Sequence, residues 1–250
     1  MAEVNQEERA YGAWDILISR AINRKTITYK ELGDALGVHH RACRYFLGLI
    51  QDFCLNEKLP PLTILVVNRN GDIGQGFTAW DVNNIKEGLE KVYSYNWNNI
   101  YNPFEYASNG ETKDGIARKL INKEVDKKEL YARVKVRGVA QSIFRKALLE
   151  AYNYRCAFCR TRIEVLLEAA HIIPWSKSSE EQKLDVNNGI LLCSNHHKLF
   201  DAGLINIDKD YRIHADPTIK TKLIGRKMRL PEDERLHPSK ESLVKRLQLI

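Results

Sequence analysis

Nothing in this 250-residue sequence approaches the length of apolar chain that crosses a bilayer, and Met1 to Gln6 lacks the apolar segment of a secretory signal. Both absences place the expected protein inside the cell, in the cytoplasm. Cysteine is scarce, and its count of five is odd. Five thiols do not close into a disulfide framework, so a reducing compartment and metal-bound sulfur are expected instead. Internal repeats and low-complexity tracts are absent as well. Acidic residues are the minority: 32 Asp and Glu stand against 39 Lys and Arg, for a net charge of +7 and a pI near 9.1. That balance favours a polyanionic partner. The length suits two domains with modest cores.

The first of these spans residues 1–97. Tyr11, Trp14, Leu17, Ile18 and Ile22 recur at helical spacing and predict a buried helix face. Thr28, with Glu31 three residues on, predicts a capping box opening a short helix over 29–36, which Gly37 stops. A third helix is expected over 39–49. The β-branched run Leu62 to Val67 reads as a strand, Asn70-Gly71 as a hairpin turn, and 79–95 as a closing helix. Three helices followed by a hairpin is the order of a winged helix. In such a unit His39, His40, Arg41 and Arg44 open the helix that enters a major groove, and Asn68 and Arg69 sit on the wing. A solvated basic helix end is the plain alternative. Residues 98–134 are polar and charged and read as a linker, partly helical from Ile116.

The second domain, 135–250, carries the chemistry. Cys156, Cys159, Cys193 and His196 form a C-x2-C…C-x2-H pattern, four ligands suited to a closed tetrahedral structural zinc. His171, Asn188 and His197 are left over, and a structural clamp has no use for them. Upstream, Phe144, Leu148 and Tyr152 share a helix face flanked by Arg145, a further candidate for contact with DNA.

With C-A-F-C, E-A-A-H-I-I-P-W and N-N-G-I-L-L-C-S-N-H-H-K-L-F-D in hand, the chain resembles the HNH endonucleases, whose ββα-metal fold cuts phosphodiester bonds. R-G-V-A-Q-S-I-F-R-K-A-L-L-E-A-Y before the first cysteine, and G-R-K-M-R-L-P and H-P-S-K-E-S-L after the motif, resemble a restriction-type branch. The likeness runs over about 137–243. A second resemblance is carried by T-I-T-Y-K-E-L-G-D-A-L-G, R-A-C-R-Y-F-L-G and L-P-P-L-T-I-L-V-V-N-R-N-G. These resemble the DNA-binding half of the alkylguanine alkyltransferases and alkyltransferase-like proteins. Their reactive cysteine is missing here, where Val66, Val67, Asn68 and Arg69 stand, so only DNA docking carries over.

The expected fold class is therefore α+β: a winged-helix-like domain followed by a zinc-stapled ββα-metal domain. The HNH resemblance makes His171 the general base on a strand over 166–173, and Asn188 the brace of its loop. Gly189 is read as permitting a tight turn into a strand over 190–193. His197 becomes a ligand of a catalytic divalent cation, magnesium or another. The spacing leaves open the reverse assignment of His196 and His197. Many relatives place an acid just before the base, where this chain has Ala170; Asp201 or Glu168 is the expected substitute, with a cap or salt bridge the competing role. The implied activity is metal-dependent cleavage of double-stranded DNA, restriction-type, with modified DNA one option. One centre cuts one strand, so a homodimer is expected. The competing readings are a non-catalytic zinc-containing DNA-binding regulator and a monomeric nicking or repair nuclease.

Overall fold

This computed structural model describes residues 4–134, 136–159, 161–219 and 221–249. They form two compact units, Met1–Thr112 and Lys113–Ile250. Helices and three two-stranded sheets mix in an α+β architecture. No described helix is long and apolar enough to cross a membrane.

In the first unit, α1 (Gln6–Ile22) starts at Asn5, whose side-chain oxygen accepts from the Glu7 and Glu8 amides. Its buried face runs through Ala10, Ala13, Trp14, Leu17 and Ala21. Ile22, expected on that face, lies off the stripe and is exposed. Thr28 and Glu31 make the capping box of α2 (Tyr29–Ala35), directly after β1 (Ile27–Thr28). Gly37 follows at φ 64°, the left-handed conformation that lets the chain leave the helix. The third helix, α3 (Cys43–Asn56), begins later and runs further than 39–49, because His39 first caps a 3₁₀ turn over His40–Ala42.

Most of the run expected as a strand is not one. Leu62–Leu65 is a 3₁₀ turn whose four residues are all buried, and only Val66–Val67 forms strand β2, parallel to β1. A strand alternates its faces, and four consecutive buried residues need a tighter coil. The Asn70-Gly71 turn does close: the Asn68 amide donates to the Asp72 carbonyl at 2.8 Å, and Val67 bridges to Ile73. Helix α4 spans Ile85–Ser94, shorter than 79–95, because Asp81 caps a 3₁₀ turn ahead of it. Trp14 centres the core, with Phe53, Trp97 and Phe104 edge-on at 5.5 to 6.3 Å between centroids.

The stretch expected as a linker is folded. Phe104 and Tyr106 are buried in the first unit, and α5 (Lys113–Asn122) and α6 (Lys127–Val134) pack on the second. Ile116, Ala117, Leu120, Leu130 and Val134 make a buried stripe that the surrounding charge masks in a composition reading. Next come α7 (Arg137–Ala151), β3 (Leu167–His171), the one-turn α8 (Glu180–Lys183), β4 (Gly189–Cys193) and α9 (Ser194–Asp201). The hairpin β5 (Ile205–Ile207) and β6 (Ile213–Ala215) and helix α10 (Lys240–Leu247) complete the unit. Strands β3 and β4 pair antiparallel from Leu167↔Cys193 to His171↔Gly189, and both α7 and α9 pack on them. Every residue of β4 is buried, which explains its unbroken apolar sequence G-I-L-L-C.

Candidate active site

Cys193 ends β4 and is also the N-cap of α9, so strand and helix meet at one residue. Its sulfur lies 3.9 Å from Cys159 Sγ and 3.2 Å from His196 Nδ1, and Cys156 Sγ is 3.5 Å from the same nitrogen. The ligand atoms of Cys156, Cys159, Cys193 and His196 all fall within 4.8 Å of one another. Around a tetrahedral ion with bonds of about 2.0 to 2.3 Å, neighbouring ligands stand about 3.5 to 3.8 Å apart, so the donors fit a metal. The Cys193 amide donates to Cys156 Sγ at 3.2 Å, and Thr161 lies 3.2 Å from Cys159 Sγ. Burial pushes the Cys156 thiol up to about 12 and holds His196 below the ordinary imidazole value. Bringing three thiols and a neutral ring together in this way calls for a cation. Cys43 and Cys54 are buried elsewhere as isolated thiols, both pushed up to about 11 by burial.

The next residue along α9 faces other partners. His197 Nδ1 is 2.5 Å from Glu168 Oε2, and its Nε2 is 3.2 Å from Asp201 Oδ2. The hydrogen bond to Asp201, aided by Glu168 and opposed by burial, holds His197 above its usual value. One imidazole is thus clamped between two carboxylates. Ala170 is fully buried, and the carboxylates that reach His197 come from Glu168 on the same strand and Asp201 on the helix.

His171 ends β3, half-buried. The pleat turns it away from Glu168, and its ring stacks on Phe144 of α7 at 4.1 Å and meets Trp175 edge-on at 5.4 Å. Its Nε2 is 3.1 Å from the Lys183 carbonyl. A carbonyl only accepts, so Nε2 carries the proton and Nδ1 keeps the lone pair. Burial pushes this imidazole down to about 4, and it also feels the charges of His197 and Asp201. Its Nδ1 is therefore unprotonated at neutral pH.

Asn188 is buried and fully used. Its Oδ1 accepts from the Ile173 amide at 2.9 Å, its Nδ2 donates to the Gln182 carbonyl at 3.0 Å, and its own carbonyl accepts from the Ile172 amide at 2.9 Å. It fastens both ends of the loop that follows His171. Gly189, expected at a tight turn, is extended instead (φ −133°). It is glycine because a Cβ would stand 2.5 Å from Phe144 Cζ and 2.7 Å from Leu148 Cδ1, pushing the ring that supports His171.

In the first unit a cleft of about 1050 Å³ brings together His40, Arg41, Arg44, Asn68 and Arg69, and adds Tyr29, Lys30, Gln51 and Gly74 to Phe77. Gly48, inside α3, also lines it, and a methyl group there would meet no atom within 4 Å. His39 is absent from the lining; its Nδ1 caps the Arg41 amide and its ring stacks on His40 at 4.1 Å. Asn68 spends its oxygen on the amides of Asn70 and Asp72. Arg145 corrects the expectation of a DNA contact: its guanidinium donates to the carbonyls of Leu167 at 2.9 Å and Glu164 at 2.7 Å, anchoring the start of β3. The sequence reading missed the Lys183 carbonyl and the Phe144 ring, since no residue type announces a backbone acceptor. Tyr29 and Gln51 were missed as cleft residues because each reads as ordinary helix.

Residues 156–208 match the model of a family described as HNH endonuclease, a segment that holds the metal cluster, His171, Asn188 and His197. This match identifies an HNH endonuclease domain within the second unit. Among solved structures it is similar to one titled "Modification dependent TagI restriction endonuclease", at 18% identity and a TM-score of 0.32, over 43% of this chain and 37% of that one. The chain thus spans well under half the length of that protein. No curated protein sequence matches it.

Proposed function

We propose that this nuclease is a restriction-type DNA endonuclease in which His171 is the general base. The observation that carries the reading is the lone pair of His171 Nδ1, kept free by the Nε2–Lys183 hydrogen bond and lying within electrostatic reach of the His197–Asp201 pair. Nδ1 takes the proton from the attacking water, and Asn188 keeps the loop, and with it the ring, from drifting. His197 Nε2 and Asp201 would hold a divalent cation, while Glu168 orients the ring from Nδ1. Bound there, such a cation supplies the positive charge that offsets the phosphate and the departing oxygen. Cys156, Cys159, Cys193 and His196 would hold zinc, whose contribution is rigidity.

The first unit reads the DNA. Its basic cleft supports this, and so does the helix and turn order of a winged helix. A groove reader needs no cleft of about 1050 Å³, so its size favours recognition of a modified base. A double-strand cut takes two copies, hence a homodimer on DNA. The test is His171→Ala: wild type nicks DNA with magnesium or manganese, and the variant is slower by about 10² to 10⁴. DNA affinity and zinc content stay unchanged. Equal cleavage by the two proteins sinks the assignment. A panel of DNAs differing in base modification then tests the reader.

A further inference from the structure

Arg246 lies on α10, outside the segment matched to the endonuclease family, and is buried (2% exposed). A buried guanidinium is costly unless its donors are satisfied. Here Nη1 donates to the Ile172 carbonyl at 3.0 Å and Nη2 to the Phe200 carbonyl. The guanidinium carbon lies 3.6 Å from the centroid of the Phe200 ring. Nε has no partner among the described residues, so the fork is aimed at these two carbonyls at the expense of its third donor.

The two carbonyls are informative. Ile172 follows the base His171, and Phe200 precedes Asp201 in the last turn of α9. Neither residue's neighbour in the site is held to the other by the β3–β4 ladder, which ends at His171↔Gly189. Asn188 grips the Ile172 and Ile173 amides from one side, and Arg246 grips the Ile172 carbonyl from the other. Packing alone would be served as well by methionine or leucine, without a buried charge.

We infer that Arg246 is a positioning residue, whose two-pronged donor fixes the separation between the strand end bearing His171 and the helix end bearing His197 and Asp201. Its kinetic consequence rests on the nuclease reading; its structural consequence does not. Lysine, with one ammonium, reaches one carbonyl but cannot span both in a fixed fork.

The experiment compares wild type, Arg246→Lys and Arg246→Met. Cleavage of plasmid DNA with manganese is followed by zinc content, by circular dichroism melting, and by nitrogen NMR of the histidine rings. A misplacement of about 1 Å costs about 100-fold in rate, so Arg246→Met should lower kcat by that order with KM for DNA little changed. Zinc content should hold, and Arg246→Lys should recover part of the rate. In Arg246→Met the His171 ring signals should shift or broaden while those of His196 stay. The inference is overturned if Arg246→Met cleaves like wild type, or if its loss only tracks the unfolded fraction. It is also overturned if lysine rescues nothing. A wild type that cleaves no DNA would remove the nuclease reading; the ring signals still decide the positioning role, unchanged signals overturning it.

Discussion

His196 and His197 are adjacent on α9, yet they serve two regions built on opposite principles. The first region is self-contained: three sulfurs and one ring nitrogen face one another within 4.8 Å, and the Cys193 amide and Thr161 hydroxyl contact two of the sulfurs. The second is ionic: the His197 imidazole sits between the carboxylates of Glu168 and Asp201. The helix turns each successive side chain by about 100°, so consecutive residues can be delivered to separate chemistries. A set of four soft donors suits a structural ion, and a set of harder imidazole and carboxylate donors suits a hard divalent cation.

Five perturbations probe this contrast, from the largest expected effect downward. Cys193→Ser should destroy the second unit, since structural zinc contributes about 10 to 16 kcal/mol to folding in small domains. Loss of bound zinc together with loss of the melting transition checks it, and a stable zinc-free variant would show that the first region is dispensable. Asp201→Asn and Glu168→Gln should leave zinc in place but weaken cleavage. Glu168→Gln costs about 10- to 100-fold as an orienting partner, and Asp201→Asn costs more. The reverse ranking, measured by manganese titration of the rate, would exchange their roles.

Gly189→Ala drives a methyl into Phe144 and Leu148, an overpacking worth about 1 to 3 kcal/mol, and tilts the His171 ring. A lower melting temperature with disproportionately slowed cleavage is expected. The smallest effect is on pH. Burial leaves His171 less basic in the folded chain (about 4) than a free imidazole (about 6.5). The folded chain therefore binds fewer protons between these values, and the ring's contribution to stability is complete above about 6.5 and lost as pH falls through about 4. The His171 ring should likewise stay unprotonated through pH 6.5 and titrate near 4, followed by nitrogen NMR of its ring signals; a midpoint at 6.5 would show a solvated ring.

The parts legible in sequence are those in which spacing encodes geometry. Two x2 gaps delivered the cluster, the Thr28–Glu31 pair delivered a cap, and Asn70-Gly71 delivered a turn. What escaped depends on contacts between distant segments. Lys183 enters through its carbonyl, which any residue would provide, and Gly189 is dictated by a ring 45 positions earlier rather than by its own dihedrals. Residues 113–134 look like linker because their charged faces outnumber the narrow stripe that packs. Arg145 looks like a DNA contact because sequence shows its charge and not the carbonyls its charge is spent on.

Gly48 carries a consequence for how such a protein diversifies. Glycine inside a helix sacrifices about 1 kcal/mol relative to alanine, and neither a left-handed backbone nor a crowded neighbour requires it here. What it preserves is vacancy in the wall of the basic cleft. Under the proposed DNA-reading role, alanine at this position would narrow the cleft by one methyl group while strengthening the helix, so that specificity and stability change together in one codon.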